Sequence, residues 1–199
     1  GLSYRLVPVK NGEVNRDWAY DVMMKKFEFG NANVPGVYYD EENRRHLNTI
    51  RMQFAQVANN LADHNRKQDA SHLLHKADWL ILQQNFRYAL ASGRQKQDQI
   101  SGQFLLACYK SRDTVLAKKV SDALRKDLEQ QVMYFNSLDA DRQDNLANEN
   151  QAVQQLLQQL QGMEQYFTRP AQVISPESSH SIINVPQPKK DTQAHDKTQ

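Results

Sequence analysis

Apolar residues recur every three or four positions through most of the chain between residues 40 and 168, and this spacing is typical of amphipathic α-helices. The first long stripe consists of Leu47, Ile50, Phe54, Val57, Ala58 and Leu61. Asp40 stands before it, and a carboxylate there caps a helix by accepting hydrogen bonds from unpaired N–H groups. After a break at residues 63–65, a partner helix is predicted from Ala70, Leu73, Leu74, Ala77 and Leu80.

The same spacing predicts a short helix before this pair and further helices after it. The short helix begins at Asn15 or Asp17 and runs to Phe27. Another helix covers residues 97–110, and the next is capped by Asp113. The apolar stripe of that capped helix is Leu116, Val120, Leu124, Leu128, Val132 and Phe135.

A final helix is predicted from about Asp141 to Phe167, with a heptad pattern of apolar residues. The seam consists of Leu146, Val153, Leu156, Leu160, Met163 and Phe167. Two interpretations are open: the seam forms a dimeric coiled coil, or it packs the helix onto its own domain. Glu149 and Asn150 interrupt the seam, which favours packing within the domain.

The prolines divide the chain, because all six lie at residues 8–35 or 170–188 and leave the region between them free to be helical. Residues 1–36 are predicted to hold a short extended segment, at residues 2–9, and the first helix. Residues 37–168 form a helical-repeat-like domain in which only residues 83–97 show no clear pattern. Residues 169–199 form a polar, proline-containing tail. The predicted fold is all-α, built of antiparallel helical hairpins.

The first long hairpin matches the size pattern of a tetratricopeptide repeat, a 34-residue helix pair. Small residues occur at the three close-approach positions, which are Ala58, Ala70 and Ala77. Large residues fill the positions between the helices, which are Phe54, Val57, Leu61 and Leu74. A second match, aligned on Ala117, is degenerate because Leu105 replaces a small residue and Ser121 a large one.

Helix pairs of this kind often present a concave face that holds a peptide. Six polar residues are candidates for such an interaction surface: Asn48, Arg51, Gln53, Asn59, Lys67 and Gln103. The alternative is that these residues are ordinary solvated helix positions without a binding role.

Charge and cysteine content narrow the functional classes. The chain has 25 basic and 23 acidic side chains, mixed along its length, whereas nucleic-acid binders carry a clustered basic excess. No nucleic-acid partner is therefore expected. The single cysteine, Cys108, allows no intrachain disulfide, and its apolar neighbours indicate a buried helical position. No apolar run approaches the ~20 residues that a membrane-spanning helix needs.

Residues suited to chemistry are present only in incomplete sets. His72 and His75 have the spacing of a shared metal site, but only His64 and Asp63 are near in sequence. The run of Asp139, Asp141 and Asp144 lacks the glycine and the final acid of a calcium loop. No phosphate loop or nucleophile motif occurs, and no carboxylate has a plainly apolar setting. We therefore predict no catalytic, metal or cofactor site in this chain.

The N-terminal third resembles a known family. The runs GLSYRLVPV and WAYDVMMKKFEFGNANVPGVYYDEENRRHLNTIRMQFAQVANNL are similar to the C-terminal part of large polytopic membrane proteins. That family is related to protein O-mannosyltransferases and is classed with lipid-sugar-dependent glycosyltransferases. The resemblance covers residues 1–61 closely and the later helices loosely. Its motif at Tyr38, Asp40, Asn43, Arg44 and Arg45 carries no assigned role.

The resemblance implies a soluble, tetratricopeptide-like region that follows many transmembrane helices, with the sugar-transfer residues in the membrane portion. The start at Gly1, without methionine, agrees with a piece of a longer protein. The domain would lie on the extracytoplasmic (periplasmic) face and position a protein acceptor or a partner subunit. Its partner would be a protein, a peptide or the membrane part of its own chain.

The alternative function is a stand-alone helical scaffold that binds peptides or forms a homodimer through its C-terminal helix. A soluble enzyme that uses His72 or His75 has the least support from the sequence.

Overall fold

The computed structural model describes residues 15–91 and 96–168, and all regular structure in these ranges is α-helical. This confirms the predicted all-α class. The helices are α1 (Arg16–Lys25), α2 (Glu41–Asp63), α3 (Lys67–Leu80), α4 (Lys96–Ser111), α5 (Thr114–Asn136), α6 (Ala140–Asn145) and α7 (Ala147–Thr168). The predicted extended segment at 2–9 and the predicted tail at 169–199 lie outside the described residues.

By its internal contacts the chain divides into Gly1–Thr168 and Arg169–Gln199. All seven helices belong to the first unit. Among the helices of residues 15–91 and 96–168, none combines the length and apolar character needed to cross a membrane.

Three predicted N-caps are confirmed, and they fix where α1, α2 and α5 begin. The side chain of Asn15 accepts a hydrogen bond from the Trp18 N–H at 3.1 Å. Asp40 accepts from the Asn43 N–H at 2.8 Å. Asp113 accepts from the Leu116 N–H at 3.0 Å. Each cap satisfies a backbone donor that the first turn of its helix leaves unpaired.

The hairpin of α2 and α3 buries every residue of the predicted size pattern. Phe54, Ala58, Leu61, Ala70 and Leu74 are fully buried, and Val57 and Ala77 are nearly so. Helix α2 also packs along α4, while α4 packs against α3 and α5. Helices α2, α3, α4 and α5 therefore contribute to one core, as the hairpin prediction requires. That the hairpins are degenerate tetratricopeptide repeats stays a prediction.

The predicted final helix is wrong in its first part, because the chain forms two helices there. Helix α6 ends at Asn145 and α7 begins at Ala147, with Leu146 in a non-helical conformation (φ −108°, ψ 15°). The cap of α6 is Asp139, which accepts from the Arg142 N–H at 3.0 Å. The predicted start near Asp141 is within one residue of Ala140, where α6 begins.

The apolar seam of α7 packs inside the chain. Val153 joins a small core with Leu128 and Phe135 of α5, and Leu160 belongs to the main core. Glu164 of α7 pairs with Arg125 and Ser121 of α5. These contacts favour the interpretation in which α7 covers its own domain.

Candidate functional site

An open cleft of about 530 Å³ lies between α4, α5 and α7. Its apolar lining consists of Leu106, Leu124, Leu128, Ala152, Leu156, Leu160 and Met163. Its polar lining consists of Asp98, Gln99, Gln103, Gln155 and Gln159, with Gly102 among them. A concave, mainly apolar site with a few converging polar groups is the usual form of a binding site.

Two pairs of glutamines border this cleft. Gln99 and Gln103 lie one turn apart on α4, and Gln155 and Gln159 lie one turn apart on α7. All four side chains are exposed. A glutamine amide both donates and accepts hydrogen bonds, so it can pair with the N–H and C=O groups of a polypeptide backbone. As far as residues 15–91 and 96–168 form it, the border of the cleft is therefore uncharged and suited to main-chain recognition.

Of the described residues that line the cleft, Asp98 is the single ionisable one, and it is only 1% exposed. Its Oδ1 accepts a hydrogen bond from the Leu90 N–H at 3.1 Å. Its Oδ2 is buried and accepts no hydrogen bond within residues 15–91 and 96–168. An acceptor left in this state is costly when it carries a negative charge.

The environment of Asp98 favours its neutral form. Burial raises the pKa of its carboxyl from the ordinary 3.8 to about 7. That value is a balance in which burial and the nearby Asp127 carboxylate raise the pKa, whereas the hydrogen bond from the Leu90 N–H and the nearby amide of Gln131 lower it. The Gln131 amide donates to Asp127 at 2.7 Å and makes no hydrogen bond to Oδ2 of Asp98. The expectation that no carboxylate has an apolar setting is therefore wrong for Asp98.

The sequence contains the signal that the expectation missed. Asp98 precedes the buried Ser101 by three residues and the buried Leu105 by seven, so it extends the buried stripe of α4 toward the N-terminus. The apolar residues of α4 alone predict a buried face that begins at Ile100, whereas the buried face also includes the polar residues Asp98 and Ser101.

Arg51 is also misplaced by the sequence prediction, because it is 1% exposed rather than on an interaction surface. Its guanidinium lies between two aromatic rings, 4.7 Å from the centroid of Phe86 and 4.6 Å from that of Tyr88. It donates hydrogen bonds to the carbonyls of Phe86 at 3.0 Å and Arg87 at 2.9 Å. Burial lowers the pKa of Arg51 to about 10, so it stays charged at neutral pH.

The segment that Arg51 contacts is the irregular stretch after α3, where the apolar pattern predicts no regular element. Gln97 of α4 donates to the Arg87 carbonyl at 2.7 Å, and Ser101 donates to the Tyr88 carbonyl at 2.6 Å. The hydroxyl of Tyr88 donates to Asp78 at 2.9 Å. These hydrogen bonds hold residues 87–88 against the start of α4. The Leu90 N–H, two residues further on, donates to Asp98.

The other members of the predicted surface fall in different places. Gln103 is exposed and lines the cleft. Asn59 is half-buried and donates to the Gln103 carbonyl at 3.3 Å, which puts it beside the cleft. Asn48 and Gln53 are half-buried and do not line it, and Lys67 lies in a separate shallow depression. The six residues thus do not form one surface.

The histidines considered for metal binding have other partners. His75 contacts Asp113 through Nε2 at 2.7 Å, and His72 lies 3.4 Å from the hydroxyl of Tyr20. Burial by itself would raise the pKa of Asp113, but hydrogen bonds from Ser71 and Leu116 and the contact with His75 lower it. In the described part of the chain, no three or more His, Cys, Asp or Glu side chains are placed to hold a metal ion.

Two further features have structural explanations. Cys108 is fully buried in α4, as predicted, and burial raises the pKa of its thiol. In the family motif, Asp40 caps α2 and also accepts a hydrogen bond from the Asn43 side chain at 2.9 Å, while Arg45 pairs with Glu42.

Comparison with known proteins adds no relative: no family model, no curated protein and no solved structure matches this chain.

Proposed function

We propose that this chain is a non-catalytic helical domain that binds a polypeptide segment in the cleft between α4 and α7. The observation that carries the proposal is the glutamine-bordered rim, uncharged in the part that the structure describes, around an apolar lining. Apolar side chains of a bound segment would bury against Leu106 and Leu156, while the glutamines pair with its backbone. Such a surface favours an extended chain over a compact charged metabolite.

The lining of the cleft also supports a binding role rather than a catalytic one. General acid–base or nucleophilic chemistry uses at least two groups within hydrogen-bond reach of each other and of the substrate. In the described part of the lining, Asp98 is the one ionisable group, and the glutamines and leucines around it supply neither a base nor a nucleophile.

The sequence resemblance supports a biological setting for this binding. In that setting the domain belongs to a glycosyltransferase-like membrane protein and lies on its extracytoplasmic (periplasmic) face. It holds an acceptor protein or a partner subunit near the membrane-embedded active site. The alternative is a stand-alone scaffold that binds peptides or forms homodimers.

A selection experiment tests the binding proposal. A displayed library of random peptides is selected on the full 199-residue chain, and the enriched peptides are measured by fluorescence anisotropy. We expect their binding to weaken at least about tenfold in Leu106→Gln, because a buried apolar contact is replaced by a polar group. The matched control is Val115→Gln, which changes an exposed residue of α5 outside the cleft and leaves binding unchanged.

Two results would contradict the proposal. One is a library that yields no peptide with measurable affinity; the other is equal weakening by Leu106→Gln and Val115→Gln, which would place binding outside the cleft. The scaffold alternative is tested by light scattering, since a homodimer has twice the molar mass of the 23.0 kDa chain.

The non-catalytic part of the proposal has its own test. The chain is incubated with a lipid-linked sugar and an acceptor peptide, and the products are analysed by mass spectrometry. We expect no transfer. Turnover that a point substitution in the cleft abolishes would overturn the proposal.

A further inference from the structure

We propose that the segment bound in this cleft carries a lysine or arginine side chain, whose cation passes Gly102 and pairs with Asp98. This inference rests on the proposed function and specifies its ligand. It follows from two independent features of α4, the buried carboxyl and the glycine one turn after it.

The first feature is charge complementarity. Among the lining residues that belong to 15–91 and 96–168, Asp98 supplies the one carboxyl and none is basic. Its Oδ2 accepts no hydrogen bond from the described part of the chain, while Oδ1 already accepts one from Leu90. A ligand cation would supply the missing charge and the missing donor at once, and hydrogen bonds between charged groups are the stronger ones.

The second feature is Gly102, which lies inside α4 and lines the cleft. Glycine in a helix interior is less favourable than alanine. Packing does not require it here, because a Cβ at this position would meet nothing within 4 Å. A glycine in the wall of a binding cleft leaves the backbone open to close approach by a ligand.

Asp98 and Gly102 lie close together on the same face of α4. Asp98, Gly102 and Leu106 follow one another at single-turn intervals, so they lie in one row along α4. Both residues line the cleft, so the open space over Gly102 is the route by which a ligand cation would reach the Asp98 carboxyl. The row of about 12 Å corresponds to about four residues of extended peptide.

Positional peptide pools test the inference. Each pool of peptides of about eight residues has a fixed central residue, which is lysine, arginine, leucine or glutamate, and random flanking residues. Binding to the full chain is measured by fluorescence anisotropy. We expect the lysine and arginine pools to bind at least about tenfold more tightly than the leucine pool, because only they provide a partner for Asp98.

Two variants test whether the preference for a basic residue arises at Asp98 and Gly102. In Asp98→Asn the lysine and leucine pools bind equally, since the carboxylate is gone and the apolar contacts remain. Gly102→Ala raises the stability of the helix but weakens the lysine pool at least about tenfold, because a methyl group narrows the path to Asp98. The matched control is Gly162→Ala on α7, an exposed position outside the cleft that also has free space around it, and it leaves binding unchanged.

A pH series provides a second readout. Asp98 faces the Asp127 carboxylate and the Gln131 amide of α5 and the Leu90 N–H, and its carboxyl is half-protonated near neutral pH. Only the deprotonated carboxyl pairs with a cation, so the lysine pool should bind up to about tenfold more tightly at about pH 8 than at about pH 6. The leucine pool should show no such change.

The results separate this inference from the proposed function. If the leucine pool binds as tightly as the lysine pool, the cleft takes a polypeptide without a cation, and the inference alone is wrong. If no pool binds, both are wrong. Loss of lysine preference in Gly162→Ala would also overturn the inference, because that residue is outside the cleft.

Discussion

The stability of this chain should fall as the pH rises from about 4 to about 7, because Asp98 holds a proton in the folded state that the unfolded state releases. The substitution Asp98→Asn isolates this effect. Asparagine has nearly the same shape, its oxygen still accepts the Leu90 N–H, and its amide nitrogen replaces the unpaired Oδ2 with a group that cannot ionise.

The size of the effect follows from the pKa of Asp98 in the two states. The pKa is about 7 in the folded chain and ordinarily 3.8, a difference of about three units. Each unit corresponds to about 1.4 kcal/mol, so ionisation of Asp98 costs the folded chain about 4 kcal/mol at high pH. The folded chain does not bear this cost below pH 3.8, where Asp98 is protonated in both states. The cost grows as the pH rises from there and is complete above about pH 7. Asp98→Asn should therefore match the natural chain near about pH 4 and exceed its stability by up to about 4 kcal/mol near about pH 8.

The assay is urea unfolding, followed by circular dichroism across this pH range. Urea is uncharged and leaves electrostatic interactions unscreened, and the free energy of unfolding comes from linear extrapolation. The control is Asp144→Asn, which removes an exposed carboxylate of α6 and should keep the pH dependence of the natural chain. Parallel curves for the natural chain and Asp98→Asn would refute the burial argument.

Three more substitutions test the packing. Arg51→Met should cost about 2–4 kcal/mol, because the Phe86 carbonyl loses its donor and two aromatic rings lose their cation, while relief from burying a charge offsets part of this. Ala58→Trp should cost about 1–3 kcal/mol by overpacking the fully buried face of α2. Lys76→Met should cost about 1–3 kcal/mol, because the Lys76 ammonium donates hydrogen bonds to the carbonyls of Met23, Met24 and Phe27. These carbonyls lie at or just after the C-terminal end of α1, so the substitution should also speed proteolysis within α1.

All three are measured by thermal and urea unfolding, with limited proteolysis added for Lys76→Met. The control is Lys126→Met, which removes the ammonium of an exposed lysine and should change the free energy of unfolding by less than about 0.5 kcal/mol. Unchanged stability in Ala58→Trp would mean that the hairpin of α2 and α3 is packed in another register. Unchanged stability in Arg51→Met would mean that its two hydrogen bonds do not offset the burial of its charge.

Much of the helical framework was predictable because its determinants are close in sequence. The caps at Asn15, Asp40 and Asp113 each bond to an N–H three residues later, so the capping residue and its partner appear in one short window. The stripe of α2 likewise needs only the helical period to be recognised. The break at Leu146 shows the limit of local patterns, because Leu146 itself belongs to the predicted apolar seam.

The candidate site was less predictable because its residues are brought together by packing. The cleft combines residues of α4, α5 and α7, and only Gln103 of the predicted surface lines it. The rows of glutamine on α4 and α7 are visible in the sequence, but nothing local indicates that they face one cleft.

The sequence alone therefore determined the all-α class, the helix starts set by local caps and the buried faces of the long helices. Only the tertiary structure decided the roles of Arg51 and Asp98, which polar composition alone would place at the surface. Arg51 is buried because carbonyls 35 and 36 residues away accept its hydrogen bonds. Asp98 is buried because helix α5 and the segment at Leu90 cover it. Helical period and capping are interactions between neighbours in the chain, whereas the burial of a charge depends on distant partners that only the folded chain brings together.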